Sequence, residues 1–421
     1  MKIVFVLESI NLLKNGTTAT CLRFATELQK KGHEVLLLGH GMPEGVTPVA
    51  PVYPLPFYKF PIFEPLIEKE GFNFVKCDCA KIYDAIKDAD VVHLFLPFKL
   101  ENVTRIIADN LGIPVTCAFH LQPQNITSAI HLGHFRLLNN ILYKSFKTYL
   151  YNQCAQVHCP SKMIAEQLKI HHYDRNITHT ISNGIIPFFH RVKANKPDEF
   201  ADKFVVTMSG RLASEKRQDL IIKAIASSKY NDRIQIVLCG QGPNKRRYIH
   251  MAKRWKLANP LQIKFCTQEE LREVVSYTDL YVHASDFEIE GISAIEAIAC
   301  GAVPIISDSK ESATGAFALD DRCLFRHGSY RSLREKIEHF YENQSELKPL
   351  SEAYIESSKA YALDLQVDAL EAMLCQAIED KKQGKDLPTA CPRKKDIRKG
   401  RKYFKRIIKA GAIDEMPERL R

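Results

Sequence analysis

The chain has 421 residues, 45% of them hydrophobic and 26% charged, which is typical of a soluble globular protein. This length exceeds what one hydrophobic core usually supports, so we expect two domains. The longest apolar runs, such as residues 91–98, fall far short of the roughly 18 residues that a membrane-spanning helix needs. The apolar run at the N-terminus is too short for a secretory signal, and we interpret it as a first strand.

The net charge of +10 is unevenly distributed. From residue 381 to the end there are 15 Lys+Arg and 5 Asp+Glu, so the remainder of the chain is neutral overall. A second asymmetry is the stretch between Asp109 and Glu166, which contains no carboxylate. The twelve cysteines show no CxxC pair and no zinc spacing, which favours reduced thiols in a cytosolic protein.

In the first half of the chain, short apolar runs alternate with helical patterns. Residues 17–31 predict a helix that ends at Gly32. Alternation of this kind is typical of a parallel sheet with helices on both faces. The predicted strands are 2–8, 33–39, 90–97 and 113–120.

The pattern restarts after a polar, proline-containing stretch at 191–203, which we interpret as a linker. The fold class is therefore α/β, with two doubly wound, Rossmann-like domains facing a cleft at the carboxyl ends of their strands. The later predicted strands are 204–210, 233–240, 261–266, 279–285 and 303–308. The predicted divisions are an N-terminal domain at 1–190, a C-terminal domain at 204–350, a helical segment at 351–382 and a basic tail at 383–421.

Residues 288–301, EIEGISAIEAIACG, follow a predicted strand and open a helix near Ile292. The free N–H groups of a first helical turn bind anions, and Gly291 lets a ligand approach the backbone. If the bound anion is the diphosphate of a nucleotide-sugar, Glu288 can hold the sugar hydroxyls and Glu296 can hold the ribose diol. Alternatively, Glu296 faces solvent and Glu288 is a helix N-terminal charge favoured by the helix dipole.

Two cations follow another strand of the same predicted domain, in the stretch MSGRLASEKRQ at 208–218. Arg211 and Lys216 stand at the carboxyl end of that strand, where ligands bind in open parallel sheets. Two cations there suit a diphosphate leaving group. Alternatively, both are solvated charges at the start of a helix.

Several ordered motifs together resemble the retaining nucleotide-sugar glycosyltransferases of family 4, which have the two-domain GT-B fold. The resemblance covers residues 1–380. Within this family, two further segments and the EIEG stretch resemble those of bacterial glycolipid synthases. These enzymes transfer a hexose to diacylglycerol or a ceramide-like lipid. The family motifs are GRL-x3-K at 210–216, LCGQGP at 238–243, Glu288-x7-Glu296, SNGI at 182–185 and GHEVLLL at 32–38, and the two narrowing segments are 119–127 and 309–325.

This resemblance implies roles for particular residues. Arg211 and Lys216 bind the donor diphosphate, and Glu288 contacts the transferred hexose. Gly291, Ile292 and Ser293 give backbone contacts to hexose and phosphate, and Glu296 holds the ribose. Gly16 faces acceptor and phosphate in the first loop, and His120 lies near the reacting sugar, although a histidine at a strand end is also often structural.

The sequence departs from the family pattern at two positions. Glu290 stands where an aromatic often precedes the glycine, and Asn15 stands where the first loop often has a second glycine. No pair of carboxylates suited to double displacement is evident, so retention implies a front-face substitution in which the leaving phosphate takes the acceptor's proton. No DxD-type motif is placed for the donor, so we expect no metal and no other cofactor.

Two segments predict contact with an anionic membrane surface. Residues 126–151 are apolar and aromatic with cations and no acid, and residues 392–411 are densely basic with Ile397, Tyr403, Phe404, Ile407 and Ile408 roughly on one face. The first segment could instead be a buried helix. The second could be a disordered tail or bind nucleic acid, but no base-reading module accompanies it, so we expect no nucleic-acid partner.

The sequence therefore predicts an enzyme that moves an α-hexose, glucose or galactose, from a UDP-sugar to diacylglycerol or ceramide at the inner face of the cell membrane. The alternative is a soluble family 4 hexosyltransferase acting on a polysaccharide or small polar acceptor. A non-enzymatic binding protein on the same fold is disfavoured, because Arg211, Lys216, Glu288 and Glu296 are all present.

Overall fold

A computed structural model describes residues 1–12, 15–43, 45–59, 73–128, 130, 132–385 and 394–421. The chain forms two compact units. The first consists of Met1–Ser182 together with Gln366–Arg421, and the second of Asn183–Leu365. The chain therefore leaves the first unit once and returns to it before its end.

The first unit is built on a seven-stranded parallel sheet with the order β3-β2-β1-β6-β7-β8-β9. The apolar run that forms β1 is buried from its second residue on. The strands of this unit are β1 (Lys2–Leu7), β2 (Glu34–His40), β3 (Val52–Leu55), β6 (Val91–Leu94), β7 (Val115–Ala118), β8 (Gln156–Cys159) and β9 (Ile177–Thr180), with a separate pair β4 (Phe57–Tyr58) and β5 (Phe74–Val75).

The helices of the first unit connect these strands. The first begins where Asn15 accepts a hydrogen bond from the N–H of Thr17 at 2.9 Å. These helices are α1 (Gly16–Lys30), α2 (Cys79–Ile86), α3 (Lys99–Leu111), α4 (Pro123–Ser128), α5 (Arg136–Tyr149) and α6 (Lys162–Ile170).

The second unit has a six-stranded parallel sheet with the order β12-β11-β10-β13-β14-β15. Its strands are β10 (Phe204–Ser209), β11 (Ile234–Cys239), β12 (Gln262–Lys264), β13 (Leu280–His283), β14 (Val303–Ser307) and β15 (Leu324–Phe325). Its helices are α7 (Gln218–Ala226), α8 (Lys245–Arg254), α9 (Gln268–Tyr277), α10 (Ile292–Ala299), α11 (Tyr330–Glu342) and α12 (Leu347–Ser358).

Every strand predicted from the sequence overlaps an observed strand, and the doubly wound α/β fold class is confirmed. In each sheet the strand order reverses beside a central strand, between β1 and β6 and between β10 and β13. Such switch points are where open parallel sheets bind ligands.

The boundaries of the two units differ from the predicted ones at two places. The stretch 191–203, predicted as the linker, lies inside the second unit, where Phe200 is buried and Lys196 pairs with Asp279 at 2.6 Å. Its proline and polar residues belong to a loop within the unit. Composition of this kind indicates irregular structure and does not distinguish a loop inside a domain from a linker between domains. The predicted helical segment 351–382 is two helices, α12 in the second unit and α13 (Leu363–Lys382), most of which belongs to the first.

The basic tail is helical from Lys394 to Lys409, and this helix, α14, packs on α2 and α3 of the first unit. Phe404 and Ile407 are fully buried there. Asp396 pairs with the buried Arg105 at 3.2 Å. The tail is therefore part of the first unit, and its outward surface is cationic because its most apolar side chains face the protein.

The other segment predicted to contact a membrane comprises α4 and α5 joined by a turn. Along α5, Asn139, Tyr143 and Phe146 are buried, whereas Leu137 and Ile141 are 63% and 55% exposed. The alternative of a wholly buried helix is therefore wrong. No helix among the described residues is long and apolar enough to cross a membrane.

Candidate active site

The candidate site lies in the second unit, at the carboxyl ends of β10 and β13. These strands are neighbours in the sheet, with Val206 opposite Leu280, so the loops that follow them emerge side by side. The loop after β11 packs against the first of these, because a Cβ at Gly240 would collide with the carbonyl oxygen of Gly210. The glycines of the GRL and LCGQGP motifs therefore allow two backbones to approach closely.

Lys216 and Glu288, which were predicted to bind separate parts of the donor, pair with each other. The Lys216 ammonium donates to Glu288 Oε2, and both side chains are largely buried. Burial by itself would raise the pKa of Glu288, but the nearby Lys216 charge and a hydrogen bond from His283 lower this pKa to about 2. Glu288 is thus an ionised carboxylate held ready inside the site.

His283 is a member of this cluster that the sequence did not reveal. Its Nε2 lies 3.5 Å from Glu288 Oε2 and 3.1 Å from the hydroxyl of Ser285. The imidazole is fully buried as the last residue of β13. Its place at a strand's carboxyl end beside the EIEG loop was the only signal available from sequence.

Arg211 lies closer to the rim of the site than Lys216. Its Nη2 donates to Glu215 Oε1 at 2.9 Å, and its side chain is 39% exposed. Gln218 holds the backbone of the same residue through a hydrogen bond to its carbonyl. Both predicted diphosphate ligands are therefore present on one loop, and each already has a carboxylate partner.

The first turn of α10 follows the EIEG loop. Gly291 has φ +101°, and a Cβ there would collide with the methyl group of Thr314, so only glycine fits. Ile292 and Ser293 begin the helix, whose first N–H groups have no intrahelical acceptor. The Ser293 hydroxyl accepts a hydrogen bond from Tyr281 at 3.3 Å, which fixes its position at the helix start.

Glu296 is buried one turn further along α10, with 9% of its surface exposed. The alternative that this carboxylate faces solvent is therefore wrong. All seven residues predicted to bind the donor in this domain lie in the second unit, and the structure pairs Lys216 with Glu288. The seven are Arg211, Lys216, Glu288, Gly291, Ile292, Ser293 and Glu296.

Glu290, the departure from the family pattern, has a structural partner. Its buried carboxylate accepts from Asn183 twice, from the backbone N–H at 3.0 Å and from Nδ2 at 2.5 Å. Asn183 belongs to the SNGI segment, so this contact joins two of the sequence motifs. It ties the end of the EIEG loop to the segment where the chain enters the second unit.

Gly16 and His120 lie in the first unit. Gly16 is the first residue of α1, and His120 follows β7. His120 stacks on Phe95 at 5.6 Å and meets His158 edge-on at 5.0 Å. Burial, then the neighbouring imidazoles, hold the pKa of His120 well below its usual value, so the ring is neutral.

The imidazole of His120 has an unused nitrogen. Its Nε2 is buried, and no hydrogen-bond partner for it exists among the residues that the structure describes. A neutral ring with an unpaired nitrogen can accept or donate one hydrogen bond, according to its tautomer. Across the same described residues, no group of three or more His, Cys, Asp or Glu side chains is arranged to hold a metal ion.

Comparisons with known families match almost the whole two-domain body of the chain. Residues 14–187 match the Glycosyltransferase Family 4 domain, and residues 190–360 match the domain of Glycosyl transferases group 1. The two matches meet within a few residues of the division between the two compact units.

Individual relatives are similar at low identity. A GDP-mannose-dependent alpha-mannosyltransferase of Corynebacterium glutamicum is 26% identical over 314 residues, 73% of this chain and 72% of the relative. The GPI3 subunit of the Saccharomyces cerevisiae phosphatidylinositol N-acetylglucosaminyltransferase is 25% identical over 174 residues, 39% of this chain and 38% of the subunit. Among solved structures, Anabaena HepE in complex with UDP and glucose has a TM-score of 0.69 at 17% identity, covering 89% of this chain and all of HepE, and supports the GT-B fold.

Proposed function

Because the chain is a glycosyltransferase with a family 4 domain followed by a group 1 domain, we propose that it moves an α-hexose from a UDP-sugar to a membrane lipid with retention of configuration. The acceptor is a diacylglycerol or a ceramide-like lipid. The observation that carries the lipid acceptor is the exposed apolar face of α5, an acid-free helix in the unit that carries the family 4 domain.

The donor binds at the carboxyl ends of β10 and β13. Its diphosphate takes the ammonium of Lys216 and the guanidinium of Arg211, and the first turn of α10 supplies N–H donors. The hexose hydroxyls take Glu288, which is ionised at neutral pH because its pKa is about 2. Glu296 holds the ribose diol from its buried position on α10.

Donor binding therefore exchanges partners within the site. In the structure Lys216 pairs with Glu288, and Arg211 pairs with Glu215. The diphosphate replaces both carboxylates at the cations, which leaves Glu288 available to the sugar. After the exchange both cations are paired with the diphosphate, and Glu288 keeps its hydrogen bond from His283 and gains those from the sugar hydroxyls, which limits the cost of its burial.

The transfer step needs positioning and electrostatic stabilisation more than a strong base. Negative charge develops on the departing diphosphate, where Arg211, Lys216 and the α10 N–H groups stabilise it. The acceptor hydroxyl attacks from the face that the leaving group departs from, and the leaving phosphate oxygen takes its proton. His120 offers its neutral ring as a hydrogen-bonding group near the reacting sugar. No step requires a metal, so a chelator leaves the rate unchanged.

The lipid is reached from the surface of the first unit. Phe135, Leu137 and Ile141 are more than half exposed along α5, and Arg136 and Lys144 are exposed beside them. An apolar helical face with flanking cations favours the interface of an anionic membrane. The lipid-linked acceptor in the name of the yeast relative supports the same class of acceptor.

The tail helix α14 adds charge to this surface. Lys399 lies 5.8 Å from the ring centroid of Tyr149, the last residue of α5, so the two helices are neighbours. The cations at 394, 395, 398, 401, 402, 405, 406 and 409 are exposed on α14. Each adds about 1 kcal/mol of attraction when it lies near anionic lipid. The protein is then a cytoplasmic enzyme peripherally bound to the inner face of the membrane.

The test is transfer from UDP-glucose, UDP-galactose or GDP-mannose to diacylglycerol or ceramide in vesicles with and without anionic lipid. We expect a glycolipid product with one UDP-sugar and a higher rate on anionic vesicles. Product with GDP-mannose alone would contradict the UDP donor, since a curated relative uses that nucleotide. Transfer only to water-soluble acceptors would contradict the lipid acceptor and favour the soluble alternative.

A pair of matched variants isolates the α5 surface. Leu137→Gln with Ile141→Gln removes the exposed apolar face, and Ile170→Gln alters another exposed apolar residue of the first unit. We expect the first variant to lose vesicle binding and lipid transfer but to keep donor binding. Ile170→Gln keeps all three, and equal losses in both variants would contradict a specific role for α5.

A further inference from the structure

Two side-by-side bridges join the loop after β10 to the loop after β13. One is the Lys216–Glu288 pair of the candidate site. The other is Arg217, whose Nη1 donates to Asp286 Oδ1 at 3.0 Å and lies 3.4 Å from Oδ2. Arg217 directly follows Lys216, and Asp286 stands two residues before Glu288, so both bridges connect the same two loops.

Asp286 is fixed from every side. Its carboxylate, 7% exposed, also accepts from His327 Nε2 at 2.7 Å. Its backbone N–H donates to the carbonyl of Glu215 at 2.8 Å, and its own carbonyl accepts from the Ser309 hydroxyl at 2.7 Å. These contacts fix the position of Asp286 at the start of the EIEG loop. Arg217 connects this fixed residue to the loop that carries Lys216.

Arg217 makes this contact from an unfavourable backbone conformation. Its φ is +55° and its ψ +34°, in the left-handed region that side chains with a Cβ seldom adopt. Among the described residues, His172 and Lys256 are the other non-glycine residues with positive φ, and both lie outside the candidate site. A left-handed residue in a binding loop points to a role for its side chain, since glycine would fit the backbone without strain.

We infer that Arg217 is a positioning residue, which holds the Lys216 loop and the Glu288 loop in register while the bound donor separates Lys216 from Glu288. The inference rests on the proposed function in one respect, since it requires a donor that takes Lys216 with its diphosphate and Glu288 with its sugar. In this role Arg217 acts through its ion pairs to two protein carboxylates, Asp219 and Asp286, and the donor diphosphate is left to Arg211 and Lys216.

A double-mutant cycle tests this role in the full-length protein. Arg217→Gly, Asp286→Asn and the double variant are assayed for release of nucleoside diphosphate from UDP-glucose, UDP-galactose and GDP-mannose, each separately, with and without lipid acceptor. We expect kcat to fall about 10- to 100-fold in each single variant, because the two loops lose their register. The double variant falls no further than the worse single variant, because both changes break the same bridge. Calorimetric Kd values for UDP and GDP change by less than about twofold, because the nucleotide contacts remain.

The control is Asp219→Asn, which removes the other partner of Arg217 and leaves the bridge to Asp286 in place. It keeps kcat, and its melting temperature reports the purely structural cost of losing a partner of Arg217. The inference is overturned if the variants melt earlier but keep kcat, or if the two single effects on kcat add. Arg217→Lys decides the matter if Arg217→Gly does not fold, since it keeps a charge towards Asp286 and should recover part of kcat.

Absence of turnover by the wild-type protein with all three sugar nucleotides contradicts the proposed function itself. Turnover to soluble acceptors or water alone contradicts only the lipid acceptor, and the cycle on kcat then still decides the role of Arg217.

Discussion

The loops that follow the strands of the two sheets differ in the charge state of their buried ionisable side chains. In the second unit, buried acids are paired: Glu288 with Lys216, and Asp286 with Arg217 and His327. Glu288 keeps its charge because the Lys216 cation and a hydrogen bond from His283 lower its pKa to about 2 in spite of burial.

At the corresponding edge of the first unit, burial favours the neutral forms of the ionisable groups. It lowers the pKa of His93 and of His120 well below the usual range, and it lowers that of His158 to about 4. It raises the pKa of Glu101 well above its usual value and that of Glu8 to about 7. The two carboxylate oxygens of Glu101 have no hydrogen-bond partner within the described part of the chain.

The difference teaches that the shared sheet architecture does not set the electrostatics of a site. Both units place side chains at the carboxyl ends of parallel strands. In the second unit these side chains form ion pairs, whereas in the first unit burial favours neutral histidines and acids. Loop residues decide which arrangement forms, so function has to be argued from them.

The largest expected effect comes from breaking a pair in the second unit. Lys216→Ala leaves Glu288 buried without its cation and removes the proposed stabiliser of the leaving diphosphate, so we expect kcat to fall about 100- to 1000-fold. Steady-state kinetics with the active donor measure it. Lys229→Ala, which breaks an exposed pair with Glu342, should leave kcat unchanged. A wild-type rate in Lys216→Ala would show that the paired charges have no part in transfer.

The neutral edge of the first unit predicts sensitivity to acid. The folded-state pKa of His158, about 4, lies below the ordinary value of 6.5, because burial outweighs the hydrogen bond that its ring donates to the carbonyl of Ile181. Stability from this group is complete above pH 6.5 and is lost as the pH falls towards 4, by about 3 kcal/mol. We therefore expect His158→Gln to lose less stability over that range than the wild type in chemical denaturation.

Three other titrating groups bear on this measurement. His93 and His120 face His158 and shift in the same direction, whereas Glu8, with a raised pKa, contributes stability that is lost as the pH rises towards 7. The comparison of His158→Gln with wild type cancels these shared contributions. Identical pH profiles for the two proteins would show that His158 is not neutral in the fold.

The amide-paired acid, Glu290, predicts an intermediate effect. Glu290→Gln replaces an acceptor of two hydrogen bonds from Asn183 with an amide that opposes the Asn183 side chain, which costs about 1–3 kcal/mol. We expect a lower melting temperature and a higher KM for the donor, since the EIEG loop loosens at its end. Glu356→Gln on the surface is the control, and an equal response in both variants would contradict the anchoring role.

The smallest effect concerns the partly exposed pair at the rim. Glu215→Gln removes the carboxylate that neutralises Arg211, and a pair with one solvent-exposed partner contributes about 0–1 kcal/mol. We expect UDP or GDP to bind about two- to threefold more tightly, as isothermal titration calorimetry would measure, because the guanidinium no longer exchanges partners. Weaker binding would mean that Glu215 orients Arg211 for the phosphate.

Local sequence signals predicted the fold well, and they indicated the residues of the candidate site, whose binding roles stay predictions. Apolar runs followed by glycine located the strands, and the position of Arg211, Lys216 and the EIEG stretch after strands located the candidate site. Those signals depend on neighbouring residues along the chain, which the sequence displays directly.

The pairing within the site could not be predicted in this way. Glu290 and Asn183 are 107 positions apart, and Lys216 and Glu288 are 72 apart, so their contacts depend on strand order. The buried rings of His93, His120 and His158 likewise meet because β6, β7 and β8 are adjacent. The sequence predicted a separate tail, because nothing in the pattern of α14 indicates that it packs on α2 and α3.

The return of the chain to the first unit sets the order in which the molecule can be completed during synthesis. Phe404 and Ile407 fill the core against α2 and α3, and Asp396 neutralises the buried Arg105. A ribosome makes these residues after the whole second unit. Until then the apolar surface of α2 and α3 is uncovered, and Arg105 lacks its ion pair with Asp396. Nascent chains stalled before residue 394 should accordingly recruit holdase chaperones, and release of the tail should end that dependence.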